Sequence, residues 1–294
     1  MQKVAVIGLG SMGMGIAQSC LRGGLQTHGF DTRPEAVERF AVEGGAPGTL
    51  DEVAGAIDTA IIVVLNAQQT EAVLTSLAPQ MKAGASVIAC ATMPPEFART
   101  MAALCAEHEL NYLDAPISGG SIKAAAGQLS IMASGAPEAF AATEPVLDAI
   151  SEKVFHLGDA PGAGSAMKAV NQLLAGVHIA TMAEAMTFGI SQGIEPETFM
   201  EVIPNCAGSS WMLENRGPHI VNGDYTPHSQ INIWPKDLGI VLEIAKAAGF
   251  PAPITSVALE RYMEAVKMGL GTEDDAAVAK VYAEDADLKL PGTS

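Results

Sequence analysis

Residues 4–13 constrain the fold of this chain more than any other stretch. Val4-Ala5-Val6-Ile7 is an apolar run that reads as a strand, and it passes directly into Gly8-Leu9-Gly10-Ser11-Met12-Gly13, a G-x-G-x-x-G spacing. Each glycine has its own physical reason at such a strand-to-helix turn. Gly8 permits the tight turn, Gly10 lets the backbone approach a pyrophosphate, and Gly13 lets the following helix, predicted over residues 11–22, pack on its strand. The amide groups at the start of that helix face an anion. Gly8, Leu9, Gly10, Ser11, Met12 and Gly13 are therefore the first candidate cofactor-binding residues.

Glycine spacing is weak by itself in a chain with 30 glycines among 294 residues, so the context decides. A second apolar strand, residues 26–30, ends in Asp31, about twenty residues past the glycines, where a carboxylate for the ribose 2′-hydroxyl belongs. The same aspartate is placed to cap a helix before Pro34. Arg33 is a candidate acceptor of a 2′-phosphate, but Asp31 would repel that group, so NAD is favoured over NADP.

The rest of the chain alternates strand and helix as far as residue 157. Strands are predicted over residues 59–65, 86–90, 111–113, 128–133 and 153–157, and helices over 69–77, 96–108 and 137–150. Unbroken apolar runs such as Ile61-Ile62-Val63-Val64 suit strands buried on both faces of a parallel sheet. The strands after Ser118-Gly119-Gly120 are expected to complete that sheet. Leu65, ending the third strand, and Thr92, following the fourth, are further cofactor candidates.

At Pro161-Gly162-Ala163-Gly164 the pattern changes to helix alone, predicted over residues 165–192, 196–207, 211–221, 236–248, 254–268 and 273–283. The expected architecture is an α/β dinucleotide-binding domain of the Rossmann type, residues 1–161, followed by an all-α domain for substrate binding and dimerisation, residues 162–294. The first helix, about 28 residues, would be about 42 Å long. Long Ala- and Met-rich helices of this kind build subunit interfaces as well as cores, so a homodimer or homotetramer is expected.

Composition narrows the function classes. The formal charge of −17, spread evenly along the chain, offers no basic footprint for nucleic acid. The most apolar long stretch, residues 169–183, reads as too short to span a bilayer, and the start of the chain has no leader pattern, so a cytoplasmic location is expected. Cys20, Cys90, Cys105 and Cys206 have no C-x-x-C spacing and read as buried free thiols. The six histidines show no zinc-ligand spacing, so no metal is expected, and there is no G-x-S-x-G elbow.

Three more segments carry chemistry: Asp114-Ala115-Pro116-Ile117-Ser118-Gly119-Gly120, Gly162-Ala163-Gly164-Ser165-Ala166-Met167-Lys168-Ala169-Val170-Asn171, and Lys236-Asp237-Leu238. With the glycine loop, in this order, they resemble the β-hydroxyacid dehydrogenase family, which includes 3-hydroxyisobutyrate dehydrogenases and tartronate semialdehyde reductases. The likeness covers nearly the whole chain. It implies that Lys168 is the general acid/base and that Asn171 bonds the substrate or the lysine. It further implies that Ser118, Gly119 and Gly120 hold the substrate carboxylate, and that Lys236 lies by cofactor and substrate with Asp237 beside it.

Elementary chemistry is compatible with those roles. Lys168 and Asn171 are three residues apart and share a helix face. Burial of a lysine in an apolar helix lowers its pKa towards neutrality, which suits proton transfer. Each motif also has a plain structural reading: a snorkelling lysine, a glycine turn, a surface ion pair at a helix start. The chain departs from the family pattern at Ala89-Cys90-Ala91-Thr92, where members often carry an acidic residue and a Ser-Thr pair, and at Gln172, where some have a second Asn.

Residues 208–216, 223–227 and 273–278 resemble the L-threonate dehydrogenase subgroup, with Asn215 a candidate partner for extra substrate hydroxyls. The resemblance thus implies NAD-dependent oxidation of a small hydroxy acid, L-threonate or a similar four-carbon sugar acid. The alternatives are a 3-hydroxyisobutyrate dehydrogenase or a tartronate- or succinate-type semialdehyde reductase. Imine reductases are similar too, but usually lack the lysine retained here as Lys168, and a non-catalytic nucleotide-binding module would have no use for it.

Overall fold

The computed structural model describes residues 1–292, and the chain forms two compact units that divide after Ala169. The first unit is built on β1 (Lys3–Ile7), β2 (Gln26–Phe30), β3 (Thr59–Ile62), β4 (Ser86–Ala89) and β5 (Asn111–Asp114), paired in the order β2-β1-β3-β4-β5. Every neighbouring pair is parallel. Between the strands run α1 (Ser11–Arg22), α2 (Pro34–Val42), the single turn α3 (Leu50–Val53), α4 (Ala67–Leu77) and α5 (Pro95–Glu107).

Strand periodicity separates two cores. Val4, Val6, Ile61 and Ile88 face one side, where Ile16, Ala17 and Cys20 of α1 cover them. Their neighbours Ala5, Ile7, Ala60, Ile62, Val87 and Ala89 face the other, against Leu74, Leu77, Met101 and Cys105 of α4 and α5. Both faces are apolar, which is why the sequence shows runs instead of alternation.

The later strands do not complete this sheet. β6 (Ile117–Ser118), β7 (Leu129–Ala133) and β8 (Ser151–His156) form a sheet of their own, antiparallel between β6 and β7 and parallel between β7 and β8. An isolated bridge, Asp114 to Ser134, ties it to β5. Pro116 marks the break between that bridge and β6: with no N–H it donates nothing to β7, and only its carbonyl takes part, accepting from Met132 N. Two helices accompany this sheet, α6 (Gly120–Ala126) and α7 (Pro137–Ile150).

The second unit is helical, and α8 (Ala163–Ser191) carries the chain into it without a break. The division falls eight residues beyond the expected boundary at 161/162, because the first turns of α8 are anchored in the first unit. At 29 residues, with an 18-residue window of mean hydropathy 1.4, α8 is by length and composition long and apolar enough to cross a membrane, contrary to the sequence reading. Ile179, Met182, Ala183 and Met186 are nevertheless core residues of the second unit, as in a buried helix of a globular domain.

α9 (Pro196–Val202), α10 (Trp211–Asn222), α11 (Ile233–Ala247), α12 (Pro253–Lys267) and α13 (Ala279–Asp285) follow. Pro204 turns the end of the predicted 196–207 helix into a 3₁₀ turn, Ile203–Asn205, which leaves Cys206 exposed against expectation. The other three cysteines are buried, and burial pushes each thiol up to about 12. The predicted 273–283 helix is likewise divided, into a 3₁₀ turn, Asp275–Val278, and α13.

Candidate active site

The glycine loop has the predicted strand–turn–helix form. Gly8 has φ +96°, and a Cβ there would lie 2.4 Å from Val63 O, while a Cβ on Gly13 would lie 1.8 Å from Gly8 O. Those two glycines are demanded by the close passage of loop, helix and strand end. Gly10 differs, since a Cβ on it would meet nothing within 4 Å. Its backbone therefore faces open space at the start of α1, where no side chain caps the helix and the first turn holds no acidic residue. That is what a pyrophosphate-binding helix start requires, so the loop fits a dinucleotide.

Not every residue of the loop offers a side chain. Leu9 is packed into the core, its N–H donating to Asp31 Oδ2 at 2.7 Å, and Met12 packs partly buried beside it. Asp31 is not the cap of α2, which is Arg33. Its carboxylate instead ties the end of β2 to the glycine loop through Leu9 and forms an ion pair with Arg33 Nε at 3.0 Å. The bond from the Arg33 side chain holds the Asp31 carboxyl down at about 2 against the effect of burial. Leu65 lies beyond β3, half-exposed, its N–H donating to Gln69 Oε1, and Thr92 is buried in the loop after β4.

Asp114 organises the next part of the site. It is fully buried at the end of β5, where Oδ2 accepts from Gly162 N (2.9 Å), Ser165 N (2.9 Å) and Ser134 Oγ (3.2 Å), and Oδ1 accepts from Ser165 Oγ (2.6 Å). Burial raises its pKa, and these bonds oppose the rise. A carboxylate is thereby seated at the N-terminus of α8, where the helix dipole favours it. Three residues further along the same segment, the carbonyl of Ile117 accepts from Lys168 Nζ at 2.9 Å. One stretch of chain thus fixes both the start of α8 and the end of its lysine, and continues into Ser118. Gly119 and Gly120, at φ +131° and +74°, adopt the left-handed backbone that glycine takes at no cost and leave the turn into α6 exposed.

In the second unit a separate chain of bonds joins α8 to α11. Asn171 Nδ2 donates to Gln172 Oε1 at 2.9 Å, Gln172 Nε2 donates to Asp237 Oδ2, and Lys236 Nζ is 2.6 Å from Asp237 Oδ1. Lys236–Asp237 is therefore no surface pair: Asp237 is buried.

The three segments that mark the subgroup also meet. Arg216 Nε donates to Asp275 Oδ1 at 2.6 Å and Asp274 N donates to Tyr225 O at 2.9 Å, while Trp234 Nε1 donates to Asp275 Oδ2 at 3.1 Å and His219 Nδ1 is 2.9 Å from Asp274 Oδ1. Asn215, expected to serve substrate hydroxyls, has its carbonyl on the Arg216 guanidinium. These segments build an ionic staple beneath the start of α11.

The comparisons with known proteins cover both units. Residues 3–158 match the model of the NAD binding domain of 6-phosphogluconate dehydrogenase, and residues 162–282 match that described as NAD-binding of NADP-dependent 3-hydroxyisobutyrate dehydrogenase. The chain belongs to the β-hydroxyacid dehydrogenase family. A protein of Cupriavidus necator named L-threonate dehydrogenase is 48% identical over 99% of this chain and 98% of its own. One of Escherichia coli K12 with the same name is 44% identical, over 98% and 96%. A solved structure from Salmonella typhimurium, described as a 3-hydroxyisobutyrate dehydrogenase, is 47% identical with a TM-score of 0.90, over 96% of this chain and all of that one.

As a β-hydroxyacid dehydrogenase the chain is an oxidoreductase that uses a nicotinamide cofactor on a small hydroxy acid. Sequence reasoning missed Asp114 as an anchor of α8, Gln172 as a bridge and the Arg216–Asp275 pair. The last had a signal, an arginine and an aspartate in two segments already marked as belonging together.

Proposed function

We propose that this chain oxidises L-threonate, or a closely similar four-carbon sugar acid, with NAD. The observation that carries the reading is the buried Lys168, its Nζ directed by the carbonyl of Ile117 immediately before Ser118. In this reading Ser118 and the amides of Gly119 and Gly120 take the substrate carboxylate. The neutral amine of Lys168 takes the hydroxyl proton, and in the reverse direction its ammonium donates a proton to the carbonyl oxygen. Asn171 and Lys236 orient the substrate. A bound nicotinamide supplies the hydride acceptor. The shared name of the relatives at 44–48% identity supports threonate, while the name carried by the 47% identical structure supports 3-hydroxyisobutyrate.

NAD over NADP rests on Asp31. Its four contacts are Leu9 N (2.7 Å), Arg33 N (2.9 Å), Arg33 Nε (3.0 Å) and Arg33 Nη2 (3.1 Å). A ribose hydroxyl has only to displace the half-exposed guanidinium from the carboxylate, whereas a 2′-phosphate meets the carboxylate's own charge.

One experiment tests substrate and cofactor together: kcat/KM for L-threonate, D-erythronate, glycerate and 3-hydroxyisobutyrate, each with NAD and with NADP. L-threonate is expected to exceed 3-hydroxyisobutyrate by roughly ten- to a hundredfold, the effect of leaving polar groups of a site unpaired. NAD is expected to exceed NADP, with Asp31→Ser narrowing the gap several-fold. A win for 3-hydroxyisobutyrate removes threonate, and parity of NADP gives the pocket to Arg33.

We further propose a homo-oligomer. Val170, Leu174 and Phe188 of α8 and Ile254 and Val257 of α12 are exposed, and a groove of about 290 Å³ lies between these helices, lined by Val177, Ala180 and Tyr282. An apolar face of this kind is normally covered. The mass in solution is expected to be that of a dimer or tetramer, with Leu174→Glu reducing it, and a monomer at micromolar concentration refutes the assembly.

A further inference from the structure

We propose that Gln172 is a positioning residue that holds Asn171 and, through Asp237, Lys236 for the reaction. This rests on the reading of Asn171 and Lys236 as site residues. Gln172 is 8% exposed, and both ends of its amide are bonded, the carbonyl to Asn171 Nδ2 and the amino group to Asp237 Oδ2. Asp237, 3% exposed, has its other oxygen on Lys236 Nζ.

The orientation of the amide follows from its partners. Reversed, it would set a carbonyl against a carboxylate and an amino group against an amino group. One amide thus joins two residues that lie on different helices, and it does so by length and polarity together. Asparagine is one methylene too short, methionine keeps the length without the polarity, and glutamate would bring a second carboxylate against Asp237.

The crossing of α8 and α11 does not depend on this amide. One turn after Gln172, a Cβ on Gly176 would lie 2.8 Å from the Trp234 ring and 2.9 Å from Leu238, so the two helices are set by backbone-to-ring contact. Tyr262 OH donates to Gly176 O at 2.8 Å and stacks on Trp234, fixing the same point from α12. Gln172 therefore sets side chains within a crossing already made, and its variants keep the fold.

The test is a kinetic double-mutant analysis on the full chain with L-threonate and NAD, or the best acid of the panel. Gln172→Met is expected to lower kcat/KM roughly tenfold, mostly in kcat, with cofactor affinity close to that of the parent and a lower melting temperature, since Asp237 Oδ2 loses this donor while the protein stays folded. Gln172→Glu, equal in length, is expected to be worse than Gln172→Met, which packing alone would not produce. Combined with Asn171→Ala or Lys236→Ala, Gln172→Met is expected to add little to the loss already caused by either. Gln172→Met at parental activity, or losses that simply multiply in both pairs, overturns the proposal. If Asn171→Ala or Lys236→Ala by itself leaves kcat/KM unchanged, that residue drops out of the site reading, and the pair containing the other decides Gln172. If both do, the proposal falls with the reading.

Discussion

Lys168→Ala is expected to lower kcat by roughly 10²- to 10⁴-fold, the range for removing a positioned acid/base, while NADH still binds. The expectation follows from where the side chain lies. Lys168 is 9% exposed, and its Nζ is held 2.9 Å from the carbonyl of Ile117, on the segment that turns into Ser118, Gly119 and Gly120. Removing the amine also leaves that carbonyl without this donor, which costs about 1–3 kcal/mol of stability, so the alanine protein melts lower yet stays folded. Lys168→Met restores most of the volume but no proton. Both variants should be inactive to a similar degree although they differ in stability, and near-normal turnover by either folded protein returns the lysine to a packing role.

How much of this is legible from sequence depends on how local each determinant is. The glycine loop is readable because its three glycines fall within six residues of one strand–turn–helix unit, although only the 1.8 Å contact of a Gly13 Cβ with Gly8 is internal to it; that of Gly8, at 2.4 Å, is with Val63 after β3, and Gly10 faces open space. Of the five parallel strands, β1, β3 and β4 are readable as apolar runs. Which sheet a strand joins is not, because β7 is as apolar and as buried as the strands of the large sheet. The two sheets are tied by the pairing of Asp114 with Ser134, and the proline at 116 separates it from the β6–β7 pairing that follows. Asp114 is visible as part of a motif. Its work, accepting from Gly162 and Ser165 some fifty residues later, depends on a meeting that only tertiary structure makes.

The same distinction holds in the helical unit. Helix existence follows from composition, and the ends that slip do so at prolines and 3₁₀ turns. In the sequence Gln172 stands out only as a departure from an Asn. Its meaning lies in Asp237, sixty-five positions away and buried, which no spacing rule connects to it. Lys236–Asp237 reads as a plain surface pair for the opposite reason: adjacent opposite charges at a helix start are common on surfaces, and burial is invisible in the sequence.

Arg216→Ala is expected to destabilise the second unit by about 3–5 kcal/mol, the usual cost of leaving a buried carboxylate without its cation. Asp275 is 0% exposed and takes Arg216 Nε at 2.6 Å and Trp234 Nε1 at 3.1 Å, so the loss is felt at the start of α11, two residues before Lys236. Burial already pushes the Asp275 carboxyl above its ordinary range, with the Arg216 charge pulling it back. Without the arginine the Trp234 bond alone is left to oppose the upward push. A carboxyl whose pKa is higher in the folded than in the unfolded protein binds a proton on folding, so the variant gains stability as pH falls through that raised value and loses it as pH rises. Thermal melting from pH 8 to pH 5 should show a deficit of roughly 10 °C at the alkaline end that shrinks towards the acid end. Arg216→Leu combined with Asp275→Leu should be milder than Arg216→Ala, because the unpaired charge is gone. A single variant that melts like the parent at pH 8, or a deficit that grows as pH falls, would show that the staple beneath α11 is held by packing and not by charge.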